Sequence, residues 1–268
     1  MTIENAIVRE KRACPLCGSW DKRDLPRYHN PEWNCVSCRS CSMVYLDEAP
    51  VYEELSVNLG WTKQVVKEKK RREKKMPMLL WLDKKTRWRL HIAIDDSWDY
   101  IGERVRSGRV LDVGCGHGRL GPEQFTPYGI EIEKHAAAIA HEAMAKRGGR
   151  VVHAPALEGL KEFSDEYFDG IIMRSFLEHE AKPREVLEQC YKKLKKGGVV
   201  YVKVPNFGTF NRLVMGVNWC GFRFPDHLNY FDVGRMRKLA EACNYKFQLK
   251  NIYSRMINDN MHCFLTRS

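Results

Sequence analysis

The chain has 268 residues, a formal net charge of +11, 44% hydrophobic residues and ten cysteines. This length is sufficient for one α/β domain with a smaller appended module, and the apolar content excludes an intrinsically disordered chain. The longest uncharged apolar run, residues 76–82, is far shorter than the roughly 20 residues that span a bilayer. We therefore predict no membrane span, and the lack of a secretory leader predicts a cytoplasmic protein.

Four of the cysteines form two CxxC pairs near the amino terminus. The predicted metal ligands are Cys14, Cys17, Cys38 and Cys41. Paired thiolates at this spacing are typical of a zinc ribbon, and a reducing cytosol favours metal ligation over disulfides. Cys35 lies close enough to the second pair to be an alternative ligand. We predict a structural Zn²⁺ site in a zinc-ribbon module over residues 1–50.

Residues 51–107 are predicted to form a helical connection. Within it, the stretch 63–75 concentrates Lys and Arg, which is typical of a solvated helix face. The same positive charge is suited to an anionic partner, such as a sugar nucleotide, a lipid headgroup or RNA. RNA binding or RNA modification is therefore the alternative function, although Trp81, Trp88 and Trp98 are expected to pack within the connection.

Residues 110–120 read VLDVGCGHGRL, an apolar run that contains Asp112 and ends in three glycines separated by one residue each. These glycines are Gly114, Gly116 and Gly118. Glycine lets a backbone turn sharply out of a buried strand and present its peptide groups to a ligand. Arg119 stands where a dinucleotide-binding fingerprint needs glycine, so an adenosine-like ligand without that phosphate cradle is expected. The alternative is an ordinary glycine-rich loop.

A second predicted strand, residues 128–132, places the acidic residue Glu131 near its carboxyl end. In a doubly wound sheet the second strand lies beside the first, so this carboxylate can accept hydrogen bonds from both hydroxyls of a ribose. Glu133 is expected to stabilise the amino terminus of the following helix instead. We predict that Glu131 contacts the ligand.

Residues 167–206 are predicted to form a strand, an amphipathic helix, a glycine turn and another strand. The apolar helix face comprises Val186, Leu187, Cys190 and Leu194, and Gly197 and Gly198 are expected to end the helix. Residues 199–204 alternate too little for a half-exposed strand, which favours a buried parallel sheet. The predicted fold is α/β, with a doubly wound and mostly parallel sheet.

The glycine bend with Asp112 resembles motif I of the class I S-adenosylmethionine-dependent methyltransferases. The later segments resemble, in order, the FD, LEH, LKPGG and PN segments of methyltransferases grouped with ubiquinone-biosynthesis and sugar-modifying enzymes, with Lys196 in place of the usual proline. The cysteine phrase CRSCSMVYL resembles the amino-terminal zinc modules of some of them. This resemblance implies a seven-stranded, Rossmann-like domain over residues 108–268 that binds S-adenosylmethionine, with residues 51–107 as a lid.

Cofactor contacts are expected from residues at the carboxyl ends of the first strands. They are Asp112, Gly114, Cys115, Gly116, Gly118, Glu131, Ile132, Ala156, Leu157 and Arg174. Many members of the resembled group have an aspartate for the adenine amino group where this chain has residues 154–157. Backbone groups and apolar faces are therefore expected to hold the adenine.

The long segment 206–232 is rich in aromatic residues and follows the fifth strand, at the edge of the sheet where ligands enter. We predict an acceptor pocket between this segment, residues 175–179 and the lid. Alternatively, the aromatic side chains of Trp219, Phe222 and Phe224 only cover the edge of the sheet.

Methyl transfer to a hydroxyl requires an aligned acceptor and removal of a proton. Histidine suits proton removal near neutral pH, so His179 is the first candidate base and His227 the second, with an organising role as the alternative for each. Ser175 stands where metal-binding members of the resembled group have an acid, so no catalytic metal is predicted from Glu178 and His179 alone. The predicted function is O-methylation of a small-molecule, sugar or glycan-type acceptor, with nitrogen and carbon acceptors left open.

Overall fold

The computed structural model describes residues 8–28, 30–51, 97–250, 256 and 258–268. The expectations about the basic stretch 63–75 and about the lid between 52 and 96, with Trp81 and Trp88, lie outside these residues. Within the ranges described, none of the helices has the length and apolar character needed to cross a bilayer.

The amino-terminal module consists of short antiparallel strands. They are β1 (Arg9–Lys11), β2 (Lys22–Asp24), β3 (Cys35–Cys38), β4 (Val44–Leu46) and β5 (Glu48–Pro50), with a 3-10 turn at Pro26–Tyr28. β1 pairs with β5, whereas β3 lies between β2 and β4. The module therefore consists of a two-stranded ribbon beside a small sheet.

The remaining described elements alternate between strands and helices. They are α1 (Ser97–Gly102), β6 (Gly108–Val113), β7 (Phe125–Glu131), α2 (Lys134–Ala145), β8 (Val151–His153), α3 (Ala156–Lys161), β9 (Phe168–Arg174), α4 (Pro183–Lys193), β10 (Leu194–Pro205), α5 (Phe210–Met215), a 3-10 turn at Gly216–Asn218, β11 (Asn229–Tyr230), α6 (Val233–Ala242), β12 (Tyr245–Leu249) and β13 (Asn260–Arg267). Trp98, on α1, is buried and packs against Phe125, as expected for a packing role.

The large sheet has seven strands in the order β12-β13-β10-β9-β6-β7-β8. The pairs from β10 to β8 are parallel, and β13 runs antiparallel to both of its neighbours. This arrangement confirms the predicted doubly wound, mostly parallel α/β fold. From β6 the chain adds β7 and β8 on one side, and it then crosses to add β9 and β10 on the other side. The carboxyl ends of parallel strands at such a reversal of strand order typically form a ligand crevice.

Burial on both faces explains the apolar central strands. Residues 110–113 of β6 and 199–202 of β10 are buried, so each strand packs against helices on either side. The predicted apolar face of α4 is confirmed, because Val186, Leu187 and Cys190 are buried.

The prediction that two glycines end α4 is wrong. The helix ends at Lys193, and Leu194 already has extended backbone angles and pairs with Phe168. Gly197 and Gly198 instead lie where the register between β10 and β9 shifts, and Gly197 has a φ of +75°. The buried Leu194 side chain and its strand pairing therefore end the helix before the glycines are reached.

A shared sheet joins the amino-terminal module to the larger domain. β11, which follows β10 in the chain, pairs antiparallel with β4 and completes a four-stranded sheet in the order β11-β4-β3-β2. Apolar residues of the module, including Leu16 and Met43, belong to the same buried cluster as residues of the large sheet. The two parts are therefore packed around a continuous core.

Candidate active site

The glycine bend leaves the carboxyl end of β6 with three residues in left-handed backbone conformations. The φ angles are +74° at Gly114, +57° at Gly116 and +78° at Gly118. A Cβ on Gly114 would lie 2.9 Å from the Phe176 ring, and one on Gly118 would lie 2.8 Å from Ala140 of α2. A Cβ on Gly116 would meet no atom within 4 Å, so the bend has its open side there.

The carboxylate of Glu131 lies against this bend. Its Oε2 accepts a hydrogen bond from the Gly116 amide at 2.7 Å, and its Oε1 accepts one from the Glu133 amide at 2.9 Å. The structure thus brings together the two features that the sequence assigned to one ligand. The expected role of Glu133 is confirmed as well, because its side chain caps α2 by accepting from the amides of His135 and Ala136.

Three of the other proposed cofactor residues, Ile132, Ala156 and Leu157, lie close to Glu131 in the chain or next to the strand that pairs with it. The amide of Ala154 donates to the Glu131 carbonyl at 3.1 Å, and Ala156 and Leu157 follow at the start of α3. Ile132 is half-buried directly after β7. Ala154 and the start of α3 therefore follow β8 beside Glu131.

Three further residues of the proposed set differ in where they lie. Asp112 is buried in β6, just before the bend. The Cys115 thiol packs into the core beside Gly129, where a Cβ would lie 2.6 Å from the sulfur, so only the Cys115 backbone faces the bend. Arg174 is the last residue of β9, one strand away on the other side.

His179 lies in the turn that follows β9, and its ring is held by Asp226. The Nδ1 atom lies 2.9 Å from the Asp226 carboxylate and 2.8 Å from the Asp226 carbonyl, so Nδ1–H donates to that residue. The Nε2 atom is buried without a hydrogen-bond partner and lies 3.9 Å from Glu178. Nε2 of His179 is therefore left for a ligand, as a donor while the ring is protonated and as an acceptor once it is neutral.

His227 lies edge-on to His179, with ring centroids 4.7 Å apart. Its Nδ1–H donates to the Gly221 carbonyl at 2.8 Å, which leaves its Nε2 as an acceptor without a partner. One carboxylate oxygen of the buried Glu178 also has no partner. The ligand atoms of Glu178, His179 and His227 all lie within 4.8 Å of one another, so the two candidate bases form one polar cluster.

The charges of this cluster shift the pKa values in opposite directions. Burial alone would lower the pKa of His179, but the carboxylates of Asp226 and Glu178 outweigh it and raise this pKa to about 9. Burial, together with the charge of His179, lowers the pKa of His227 to about 3. Burial raises the pKa of Glu178 to about 7. His227 is therefore a neutral acceptor, whereas His179 holds a proton until the pH is alkaline.

Asp226 and Arg223 belong to this site, although the sequence did not assign them to it. The Arg223 guanidinium forms an ion pair with the Asp226 carboxylate at 2.5 Å. The Asp226 side chain is buried, and the imidazolium of His179 overcomes that burial and lowers the pKa of Asp226 to about 2. The adjacency of Asp226 and His227 in FPDHLNYF was the available signal, but the chain alone does not indicate which histidine the carboxylate contacts.

A family model described as a methyltransferase domain matches residues 87–249, which is more than half of the chain. The chain belongs to this family. Together with the seven-stranded fold, the match identifies it as a class I S-adenosylmethionine-dependent methyltransferase and confirms the resemblance seen in the sequence.

Two curated relatives are ubiquinone biosynthesis O-methyltransferases from Pseudomonas. The Pseudomonas putida protein is 32% identical over 140 residues, and the match covers 49% of this chain and 58% of that protein. The Pseudomonas fluorescens protein is 31% identical over the same shares of both chains. The chain thus spans little more than half the length of the curated relatives it matches.

One similar solved structure is an S-adenosylmethionine-dependent methyltransferase from Thermotoga maritima. It is 21% identical, its match covers 70% of this chain and 96% of that chain, and its TM-score is 0.51. This similarity shows a common fold.

The four predicted zinc ligands of this methyltransferase lie together in its amino-terminal module. The sulfurs of Cys14 and Cys41 are 3.4 Å apart, those of Cys17 and Cys38 are 3.6 Å apart, and all four lie within 4.8 Å. A tetrahedral zinc with Zn–S bonds of about 2.3 Å requires sulfurs about 3.8 Å apart. Cys35 lies in β3, outside this cluster.

The aromatic segment after β10 packs against the zinc-ligand module. Trp219 and Phe222 are fully buried in a cluster with Tyr28 and Trp33 of the module, and Phe224 stacks on Phe222. These three side chains therefore pack against the amino-terminal module and its small sheet. Two residues of the same segment contact the histidine rings, since Asp226 accepts from Nδ1 of His179 and the Gly221 carbonyl accepts from Nδ1 of His227.

Proposed function

We propose that the protein transfers the methyl group of S-adenosylmethionine to a hydroxyl of a small-molecule, sugar or glycan-type acceptor. The observation that carries this proposal is the 2.7 Å hydrogen bond between the Gly116 amide and the Glu131 carboxylate at the open side of the bend. The two curated relatives bear the name of O-methyltransferases, which supports an oxygen acceptor.

The residues at the bend fit the cofactor. A Cβ at Gly116 would project into open space, so a ligand can approach the backbone there, and the Glu131 carboxylate beside it can accept from ribose hydroxyls. Ala156 and Leu157 offer a small apolar surface for the adenine. When bound, S-adenosylmethionine supplies an electrophilic methyl group.

His179 is suited to remove the proton of the acceptor hydroxyl. Its Nδ1–H is held by Asp226, which orients the ring and selects the tautomer with a lone pair on Nε2. His227 and Glu178 place further acceptor atoms beside that nitrogen. In this proposal His179 is the base, while His227 and Glu178 accept hydrogen bonds from the substrate that receives the methyl group.

We also propose that the four-cysteine cluster binds one structural Zn²⁺. A site with four thiolates leaves no coordination position open for substrate, so the ion would contribute to folding rather than to the chemical step. The strands around it are only three or four residues long, which is typical of small modules that a metal stabilises.

The proposal is tested by offering hydroxylated sugars, sugar nucleotides and phenols with S-adenosylmethionine and measuring product masses. We expect one acceptor class to gain a single methyl group, and the His179→Ala variant to reduce turnover about 100-fold or more, since general bases typically contribute that much. His141→Ala, at an exposed histidine of α2, is the matched control. Methylation confined to nitrogen or carbon acceptors, or full turnover without His179, would contradict the proposal.

A further inference from the structure

Asn229, in β11, connects this strand to the turn that carries His179. Its side-chain amide donates to the carbonyls of Leu177 at 2.8 Å and of Glu180 at 2.7 Å. The backbone amides of Leu228 and Asn229 both donate to the carbonyl of Glu178, at 2.7 and 3.0 Å. Three carbonyls on either side of His179 are therefore bound by one short segment.

The same asparagine is held from the other side by the zinc-ligand module. Its Oδ1 accepts a hydrogen bond from the Arg12 guanidinium at 2.7 Å, and Arg12 stands two residues before the ligand Cys14. Asn229 also pairs with Tyr45 of β4, and the Leu46 amide donates to the Leu228 carbonyl at 2.9 Å. The side-chain NH₂ group of Asn229 thus binds the turn through two hydrogen bonds, and its oxygen binds the zinc-ligand module through one.

This arrangement fixes the orientation of the amide of Asn229. A side-chain amide has one accepting oxygen and one donating NH₂ group, so it can bind the guanidinium and the two carbonyls in only one rotamer. The residue is 2% exposed, and a buried polar group that loses its partner is costly. Contact with Arg12 therefore favours the rotamer that binds the turn.

We propose that Asn229, held by Arg12, is a positioning residue that orients His179 toward the acceptor, so that the zinc-ligand module acts on methyl transfer through this contact. The inference rests on the proposed role of His179 as the base. The side-chain hydrogen bonds of Asn229 lead to Arg12 and to the turn around His179, and none of these partners belongs to the glycine bend or is Glu131, so we expect cofactor binding to be independent of this contact.

The decisive variant is Arg12→Met in the full-length, zinc-loaded protein. We follow the imidazole of His179 by ¹H–¹⁵N NMR, assigned with a His179→Gln variant. In the wild type the Nδ1–H signal should be sharp, shifted downfield and protected from exchange, because Asp226 accepts it. In Arg12→Met this signal should broaden or disappear, and the pKa of His179 should fall toward its ordinary value of about 6.5.

Activity gives a second measurement. Arg12→Met should lower kcat about 10- to 100-fold, because small misplacements of a reacting group have effects of this size. Affinity for S-adenosylhomocysteine and zinc content should stay as in the wild type. Arg12→Lys, which can still donate to Asn229, should restore part of the NMR signal and of kcat. Arg9→Met removes another arginine of the module that contacts Glu32 and Trp33, and it should leave both unchanged.

An unchanged His179 signal in Arg12→Met, or an equal change in Arg9→Met, would overturn the proposal. If Arg12→Met fails to retain zinc, Asn229→Ala carries the same measurements, and loss of zinc in both variants would show that the contact is purely structural. Absence of methyl transfer by the wild type would refute the proposed function alone, since the NMR measurement requires no acceptor.

Discussion

The open side of Gly116 distinguishes this glycine from its neighbours in the bend. Gly114 and Gly118 have protein atoms where a side chain would begin, whereas Gly116 has open space next to the Glu131 carboxylate. In the proposed function the cofactor approaches the backbone through this open space. A ligand as well as conformation would then require glycine at this position.

Gly116→Ala tests that distinction, with Gly197→Ala as its control. Both glycines have positive φ and no atom within 4 Å of an added Cβ, so each variant should lose a similar free energy of unfolding, about 1–2 kcal/mol. Only Gly116→Ala should also weaken S-adenosylhomocysteine binding, by about 10-fold, because its methyl group would occupy ligand space. Calorimetry and thermal unfolding measure both effects, and equal affinities for the two variants would refute the assignment.

Asp226→Asn tests the charge that acts on His179. Because the pKa of His179 is raised to about 9, its neutral, base-competent form accumulates only as the pH rises through that value. The rate of methyl transfer should therefore increase with pH up to about 9. Without the carboxylate the pKa of His179 should fall, so the rising limb should shift to lower pH, while kcat decreases because the ring is less firmly oriented.

The pH profile of kcat/KM is the measurement for this variant. Asp165→Asn, at a carboxylate that pairs with Lys193 far from the histidines, should leave the profile unchanged. A rising limb that stays in place in Asp226→Asn would contradict the proposed pairing.

At the scale of elements, the sequence predicted those features that are formed by residues close together in the chain. The bend, Glu131 and the apolar face of α4 each lie within one continuous segment, so spacing along the chain was sufficient. The pairing of His179 with Asp226 joins positions 47 residues apart, and its geometry depends on the path of the segment between them. No periodic pattern in the sequence encodes that path.

The role of the aromatic segment also could not be predicted from the sequence, because apolar side chains are buried in either of the two roles considered. Trp219 and Phe222 are apolar whether they line a pocket or cover a sheet, and only the position of Trp33 and Tyr28 decides between these roles. Likewise β11 has just two residues, too few for a recognisable strand pattern, and it forms because β4 offers an edge to pair with. Tertiary contacts therefore determined what local patterns left open.

Cys17→Ser tests the cysteine cluster as a zinc site. Cys17 is exposed, so this variant removes a ligand while disturbing little packing. We expect one zinc per chain in the wild type and in Cys35→Ala, and a markedly lower content in Cys17→Ser, measured by elemental analysis after dialysis. Normal zinc in Cys17→Ser with loss in Cys35→Ala would assign the fourth ligand to Cys35 instead.

At the scale of the whole molecule, one core connects the zinc-ligand module to the cofactor crevice. The shared four-stranded sheet and the apolar cluster that contains Met43 and Leu177 pass from the module to the strands around β9. The glycine bend and Glu131, which we propose to bind the cofactor, lie on the β6–β7 side of the reversal in the sheet, whereas Arg174 and the histidine cluster follow β9 on the other side. In the proposed function this division would place the methyl donor and the acceptor on opposite sides of the reversal.

The most direct test of this account is calorimetric titration of S-adenosylmethionine into the wild type and Glu131→Ala. A carboxylate that accepts from ribose hydroxyls is worth about 1.5–3 kcal/mol, so the variant should bind roughly 10- to 100-fold more weakly. Glu142→Ala, at an exposed glutamate of α2, should bind like the wild type. Equal affinity in Glu131→Ala, or no binding by the wild type, would contradict the claim that the bend and this carboxylate hold the cofactor.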